Sequence, residues 1–202
     1  MKTRLLFILL LLPLTLFAND WTLEIRGAIF RPSSKILKEK FTGGWIDYEV
    51  RASKMLNDNV EVWTGVDWIN KKRHLKHEAY YYSSREHAFR KIWILPISVG
   101  ANYYLCITPC FHVYVGAGIC YTFNKLEYHS EHFHDHSTKS GFGAVLKTGA
   151  RIDSGDYIFY DIFIDYLYQQ MPLSHSERSW GIDRSRVDLG GFKFGAGIGV
   201  YF

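Results

Sequence analysis

The chain has 202 residues, 17% of them aromatic, with a formal net charge of +4 and a mean hydropathy of −0.11. The length suits a single domain, and no Pro-rich, Ser-rich or low-complexity linker divides it. So small a charge gives no basic field for nucleic acid, and nothing in the chain resembles a nucleic-acid module.

The first predicted element is a leader. Lys2 and Arg4 precede the apolar run Leu5 to Leu12, and Phe17-Ala18 stands before the polar pair Asn19-Asp20. The run is too short to span a bilayer, and a small residue occupies the cleavage position. Residues 1–18 therefore read as a signal peptide and 19–202 as the mature domain.

Period-two alternation, the signature of a strand with two unlike faces, then recurs eight times. Strand one, near 20–32, sets Trp21, Leu23, Ile25 and Ile29 against Thr22, Glu24 and Arg26. Strand two, near 44–56, sets Ile46, Tyr48, Val50 and Ala52 against Asp47, Glu49, Arg51 and Ser53. Strand three, near 60–70, sets Val60, Val62, Val66 and Trp68 against Glu61, Gly65 and Asp67, with Trp63 and Ile69 out of pattern. Strand four, near 92–105, and strand five, near 110–124, continue it, the latter with Phe111, Val113, Val115, Ala117, Ile119, Tyr121 and Phe123 on one face. Strand six, near 141–153, sets Phe142, Ala144, Leu146 and Ile152 against Lys147 and Arg151. Strand seven, near 157–169, sets Ile158, Tyr160, Ile162 and Ile164 against Asp161 and Asp165. The last strand is the clearest: Phe192, Phe194, Ala196, Ile198, Val200 and Phe202 alternate with Lys193, three glycines and Tyr201.

The connections give this pattern its meaning. Asn57-Asp58-Asn59, the stretch from Cys106 to Pro109, and Asp153 to Asp156 are short turns, whereas the segments near 33–43, 70–91, 125–140 and 169–186 are long and polar. Strict alternation of short and long connections predicts an all-β, eight-stranded antiparallel up-and-down transmembrane β-barrel, with both termini on the short-turn, periplasmic side. A soluble eight-stranded barrel is the rival, because it has the same alternation with the faces inverted. The polar face here is rich in Gly, Ser and charges of both signs rather than in long surface charges, which suits a narrow lumen.

The ending from Val187 to Phe202, with its Tyr201-Phe202 terminus, resembles the closing strand of the small outer-membrane β-barrel superfamily, the group of OmpA-, OmpX- and OmpW-like proteins. Val115-Gly-Ala-Gly-Ile-Cys-Tyr-Thr-Phe123 is similar to a mid-barrel strand of that group. The resemblance implies residence in the outer membrane of a Gram-negative envelope, among its lipids and lipopolysaccharide. It also implies Tyr201 and Phe202 as the signal read by the barrel-assembly machinery. It leaves function open, since the group holds adhesins, structural proteins, solute channels and enzymes.

Four constellations could carry chemistry. The inward face would bear Glu24, Asp47, Glu49, Glu61, Asp67, Asp161 and Asp165 with Arg26, Arg51, Lys147, Arg151 and Lys193. In a water-poor lumen these must pair, giving a salt-bridged plug, with a proton or ion path as the alternative. The segment 125–140 carries His129, His132, His134 and His136, residue types that hold Zn²⁺ or Cu²⁺ or simply titrate near neutrality; no other cofactor is expected. Lys71, Lys72, Arg73, Lys76, Arg85, Arg90 and Lys91 surround Tyr80-Tyr81-Tyr82, and would grip lipopolysaccharide phosphates or an anionic surface ligand, or merely keep a loop wet. Cys106 and Cys110 flank a turn in an oxidising compartment, where a local disulfide needs Cα atoms within about 7 Å. Cys120, about 33 Å further along its strand at the usual rise, is expected to be a buried thiol. Ser174-His175-Ser176-Glu177 has no hydrolase geometry, and no enzyme is expected. The expected role is envelope structure or surface interaction through the long loops, with a porin-like channel for small or hydrophobic solutes and a lipid-modifying enzyme as alternatives.

Overall fold

The computed structural model describes residues 21–41, 43–76, 87–130, 133–172 and 186–202. The leader, His132, Tyr80 to Tyr82, Arg85 and the Ser174 to Glu177 stretch lie outside the described residues. The strands are β1 (Trp21–Pro32), β2 (Trp45–Met55), β3 (Val60–Lys76), β4 (His87–Thr108), β5 (Phe111–Ser130), β6 (Phe133–Ser154), β7 (Ile158–Pro172), β8 (Arg186–Asp188) and β9 (Gly191–Tyr201), with one short helix α1 (Lys35–Lys40) between β1 and β2. Each long strand pairs antiparallel with the next, β7 passes to β9, and β9 returns to β1, so the sheet is closed. β8 is a short strand beside the far end of β7.

The register fixes the barrel's width. From Glu24 the ladder runs through Arg51, Gly65, Ser98, Cys120 and Gly143 to Gln169 on β7; in the other direction it runs through Gly199 to Phe159. The two arrivals on β7, at Gln169 and Phe159, are ten residues apart, and this is the stagger of the closed sheet. With ordinary strand spacings, eight strands at that stagger tilt by about 40° and leave a backbone radius of about 8 Å, room for side chains and nothing else.

The faces fall as the alternation predicted. Ile25, Ile119, Ile162 and Phe142 point out with 60%, 64%, 61% and 77% of their surface exposed, in a band of more than two dozen large apolar side chains. Every residue of the expected lumen charge set points inward and is buried. An apolar exterior around a charged interior inverts a soluble barrel and matches a bilayer-spanning one.

Four connections differ from expectation. The segments near 70–91 and 125–140 are not loops in the main, because β3 runs on to Lys76, β4 begins at His87, and β5 and β6 approach within two residues of each other. Above the apolar band both faces of a hairpin meet polar surroundings, so the alternation fades from the sequence while backbone pairing continues. The β4–β5 connection is also tighter, since Cys106 is still in the ladder opposite His112 and only Pro109 and Cys110 form the turn. Finally, the segment near 33–43 contains the one-turn helix α1. At the β6–β7 turn Gly155 has φ +78°, where a side chain would be strained.

Candidate functional site: a filled lumen and a basic rim

Alternate residues of all eight long strands meet inside the barrel, and their chemistry is layered along its axis. Nearest the tight turns, Glu61 is saturated: Arg151 Nη2 and Ser53 Oγ donate to its Oε1 at 2.9 and 2.7 Å, and Asn102 Nδ2 and Tyr104 OH donate to its Oε2 at 2.8 and 3.0 Å. Ser53 also meets the Thr22 hydroxyl. The Arg151 guanidinium lies over the Phe159 ring, 4.1 Å from its centroid.

Arg26 holds the middle. Its guanidinium reaches Glu49 at 2.8 Å, Asp165 at 3.0 Å, Asp161 at 3.1 Å and Glu24 at 3.4 Å, donates to Tyr114 OH at 3.1 Å and stacks 3.3 Å from the Phe163 centroid. Arg51 pairs with Glu24. Lys147 bridges Glu49 at 2.7 Å and Asp165 at 3.2 Å and lies 4.6 Å from the Trp63 ring. One layer further, Lys193 bridges Asp47 at 2.9 Å and Asp67. All seven carboxylates and five cations are at most 3% exposed, so this is a desolvated network in which each of these charges has at least one opposite partner.

Toward the loop end the lumen turns apolar. Phe30, Trp45, Ile69, Ile92, Ile94, Val145, Leu167 and Leu189 form one buried cluster, joined by Leu37 of α1 and Phe41 just after it. Phe41 and Phe30 each meet the Trp45 ring edge-on at 5.6 Å. This plug was not foreseen from the sequence. The signal was present in Trp63 and Ile69, which broke the strand-three pattern because both belong to the inner face, at 2% and 0% exposure. Trp63 fits because Gly100 and Gly118 face it; a Cβ on either would come within 2.6 and 2.8 Å of its ring.

The remaining sequence candidates are scattered. Cys106 and Cys110 are both exposed, and the ladder places His112, not Cys110, directly opposite Cys106. Cys120 is buried, with Thr122 Oγ1 3.8 Å from its Sγ. Tyr201 OH donates to Asp153 Oδ1 at 2.7 Å, which also meets His112 Nε2 through Oδ2 at 3.0 Å, and Phe202 pairs with Trp21 through the backbone. Lys71, Lys72 and Lys91 stand on β3 and β4, and Arg73, Lys76 and Arg90 occupy the same ladder further out. His129, His134 and His136 are in the outer arms of β5 and β6. A cleft of about 600 Å³ on the rim is lined by Arg31, Lys38, Gly43, Gly44, Phe192 and Phe194.

The sequence matches no protein-family model, and no curated protein matches it. Its structure does resemble solved ones. Neisserial surface protein A superposes with a TM-score of 0.58 at 16% identity, over 91% of this chain and 98% of that one. The chain has the fold of the small outer-membrane β-barrels. The N-terminal barrel domain of OprF from Pseudomonas aeruginosa gives a TM-score of 0.53 at 17% identity, over 90% of this chain and 97% of that one. Ail, the attachment invasion locus protein of Yersinia pestis, gives 0.51 at 14% identity, over 91% and 99%. This small barrel thus shares its fold with proteins that are at most 17% identical to it in sequence.

Proposed function

We propose that this barrel is a closed, non-enzymatic protein of the Gram-negative outer membrane, with termini and tight turns in the periplasm and a role in envelope structure or surface contact through its outer hairpins and loops. The carrying observation is the lumen. Along its length a saturated carboxylate, an arginine held by four acids, a bridging lysine and an apolar plug succeed one another, in a barrel whose radius suits side chains. A solute would have to unpair buried charges to pass, at a cost of several kcal/mol for each.

The rim supports this orientation and a phosphorylated outer leaflet. Arg31, Lys38, Lys71, Lys72, Lys91, Lys125 and Lys139, with Glu39 and Glu127 among them, gather at the loop end above the lipid-facing Trp68, Phe192 and Phe194, whereas the turn end carries Asp58, Asp153 and Asp156 with Lys54. Basic side chains above an aromatic belt suit an outer leaflet whose headgroups are phosphorylated, as in lipopolysaccharide. Tyr201-Phe202, at the barrel's end with Tyr201 half-buried and Phe202 exposed, fits the role of assembly signal. Two of the proteins sharing the fold are, by name, a surface protein and an attachment protein.

Reconstitution tests this reading. The folded chain should migrate differently in boiled and unboiled gel samples, fractionate with outer membranes, and give no unitary conductance in planar bilayers. Steady single-channel currents would overturn the closed lumen, and recovery from the soluble fraction would overturn the membrane location.

A further inference from the structure

We propose that the outer hairpin of β5 and β6 binds one transition-metal ion, Zn²⁺ or Cu²⁺, at the four positions His129, His134, His136 and Glu127. The pairing of the two arms brings them together. His129 is directly opposite His134, and Glu127 directly opposite His136. In an antiparallel ladder, directly opposed residues share a face, and so do residues two apart on one strand. The four positions therefore form one contiguous patch on one side of the hairpin. The sequence places three imidazoles and a carboxylate there, although they span ten residues of chain with Tyr128, Ser130, Phe133 and Asp135 interposed.

The dimensions suit a single ion. Opposed Cβ positions lie about 5 Å apart and diagonal ones about 7 Å, so the centre of the patch is about 3.5–4 Å from each corner. That is the reach of an imidazole or a carboxylate closing on a metal at about 2.0–2.2 Å. Three nitrogens and one oxygen make a borderline donor set that favours Zn²⁺ and Cu²⁺ and serves Mg²⁺ or Ca²⁺ poorly.

The surroundings set the affinity. Glu127 pairs with Lys125 at 2.7 Å, both partly exposed, and Lys91 is opposite Glu127 in the β4–β5 ladder, with Lys72 beyond it. An exposed ion pair is worth little and is readily exchanged for a metal–carboxylate bond, but the neighbouring cations hold the affinity below that of a structural zinc site. In the ladder the Phe89 position stands between those of His129 and His74. This inference stands apart from the closed lumen, since the hairpin lies above the apolar band.

The test is calorimetric titration of the tag-free, full mature chain, refolded in detergent, with ZnCl₂ and with CuCl₂. One ion should bind with a Kd in the micromolar range. His129→Ala/His134→Ala should weaken it at least tenfold, and Glu127→Gln severalfold. Two variants guard the assignment: His132→Ala and His112→Ala should each leave the Kd unchanged within twofold, and Co²⁺ loaded in place of zinc should show the intense visible bands of a tetrahedral site. Absence of binding up to 100 μM metal would overturn the proposal, as would equal loss in His132→Ala or His112→Ala, or binding indifferent to the double substitution. Retained gel mobility shift in every variant shows that a change in Kd comes from the site and not from the fold.

Discussion

Lys193→Met removes the charge from a side chain of nearly equal volume, and the structure says what that leaves behind. Among the described residues Lys193 is the only cation that bridges Asp47 and Asp67, and all three are buried. Arg26, by contrast, shares its acids: Glu49 and Asp165 retain Lys147, and Glu24 retains Arg51, so only Asp161 loses its sole ion-pair partner when Arg26 is removed. Stranding one buried charge costs about 3–5 kcal/mol. Two carboxylates stranded side by side put Lys193→Met at or above the top of that range, and Arg26→Ala nearer its lower end, with the loss of the Phe163 stacking included. The assay is reversible urea unfolding in lipid vesicles, followed by tryptophan fluorescence. The triple variant Lys193→Met/Asp47→Asn/Asp67→Asn should recover at least about 2 kcal/mol, because neutral amides no longer need a counter-charge. If Lys193→Met costs under about 1 kcal/mol, or the triple variant recovers nothing, the layer is hydrated and the description of the lumen as desolvated is refuted.

Three further outcomes are expected. Trp45→Ala should cost about 3–5 kcal/mol in the same assay, since it empties the centre of the apolar plug where Phe30 and Phe41 pack, and an effect under 1 kcal/mol would show that the plug is not cohesive. Ile25→Arg, on the lipid face, should cost about 2–4 kcal/mol in bilayers; an equal penalty for Arg at Asn70, near the outer edge of the band, would contradict the assigned membrane depth. Phe202→Ser should lower the amount of protein assembled in the outer membrane while leaving the unfolding free energy of refolded protein within about 1 kcal/mol, a separation measured by comparing cell fractions with urea titrations.

The amino-acid order by itself determined which residues face lipid and which face the lumen. That is a consequence of period two: Phe192 to Phe202, or Trp21 to Ile29, can present only one set of side chains to each side, whatever the partner strand. It determined the three tight turns almost as well, through Asn57 to Asn59, the Pro109 region and Gly155. It did not determine where the strands stop. Beyond the bilayer the apolar face is no longer needed, so β3 to β6 continue through sequence that reads as loop, held by backbone pairing that no side-chain pattern announces. Only the tertiary structure decided the ten-residue stagger, and with it which of the inward charges meet. Arg26 could have paired with any carboxylate within reach; closure of β1 on β9 and the tilt of β7 bring it Asp161 and Asp165, some 135 or more positions away in the chain. The apolar plug has the same origin: Phe30 and Trp45, like Ile69 and Ile94, are ladder partners on adjacent strands, but these pairs and Leu167 form one cluster only when the sheet is closed.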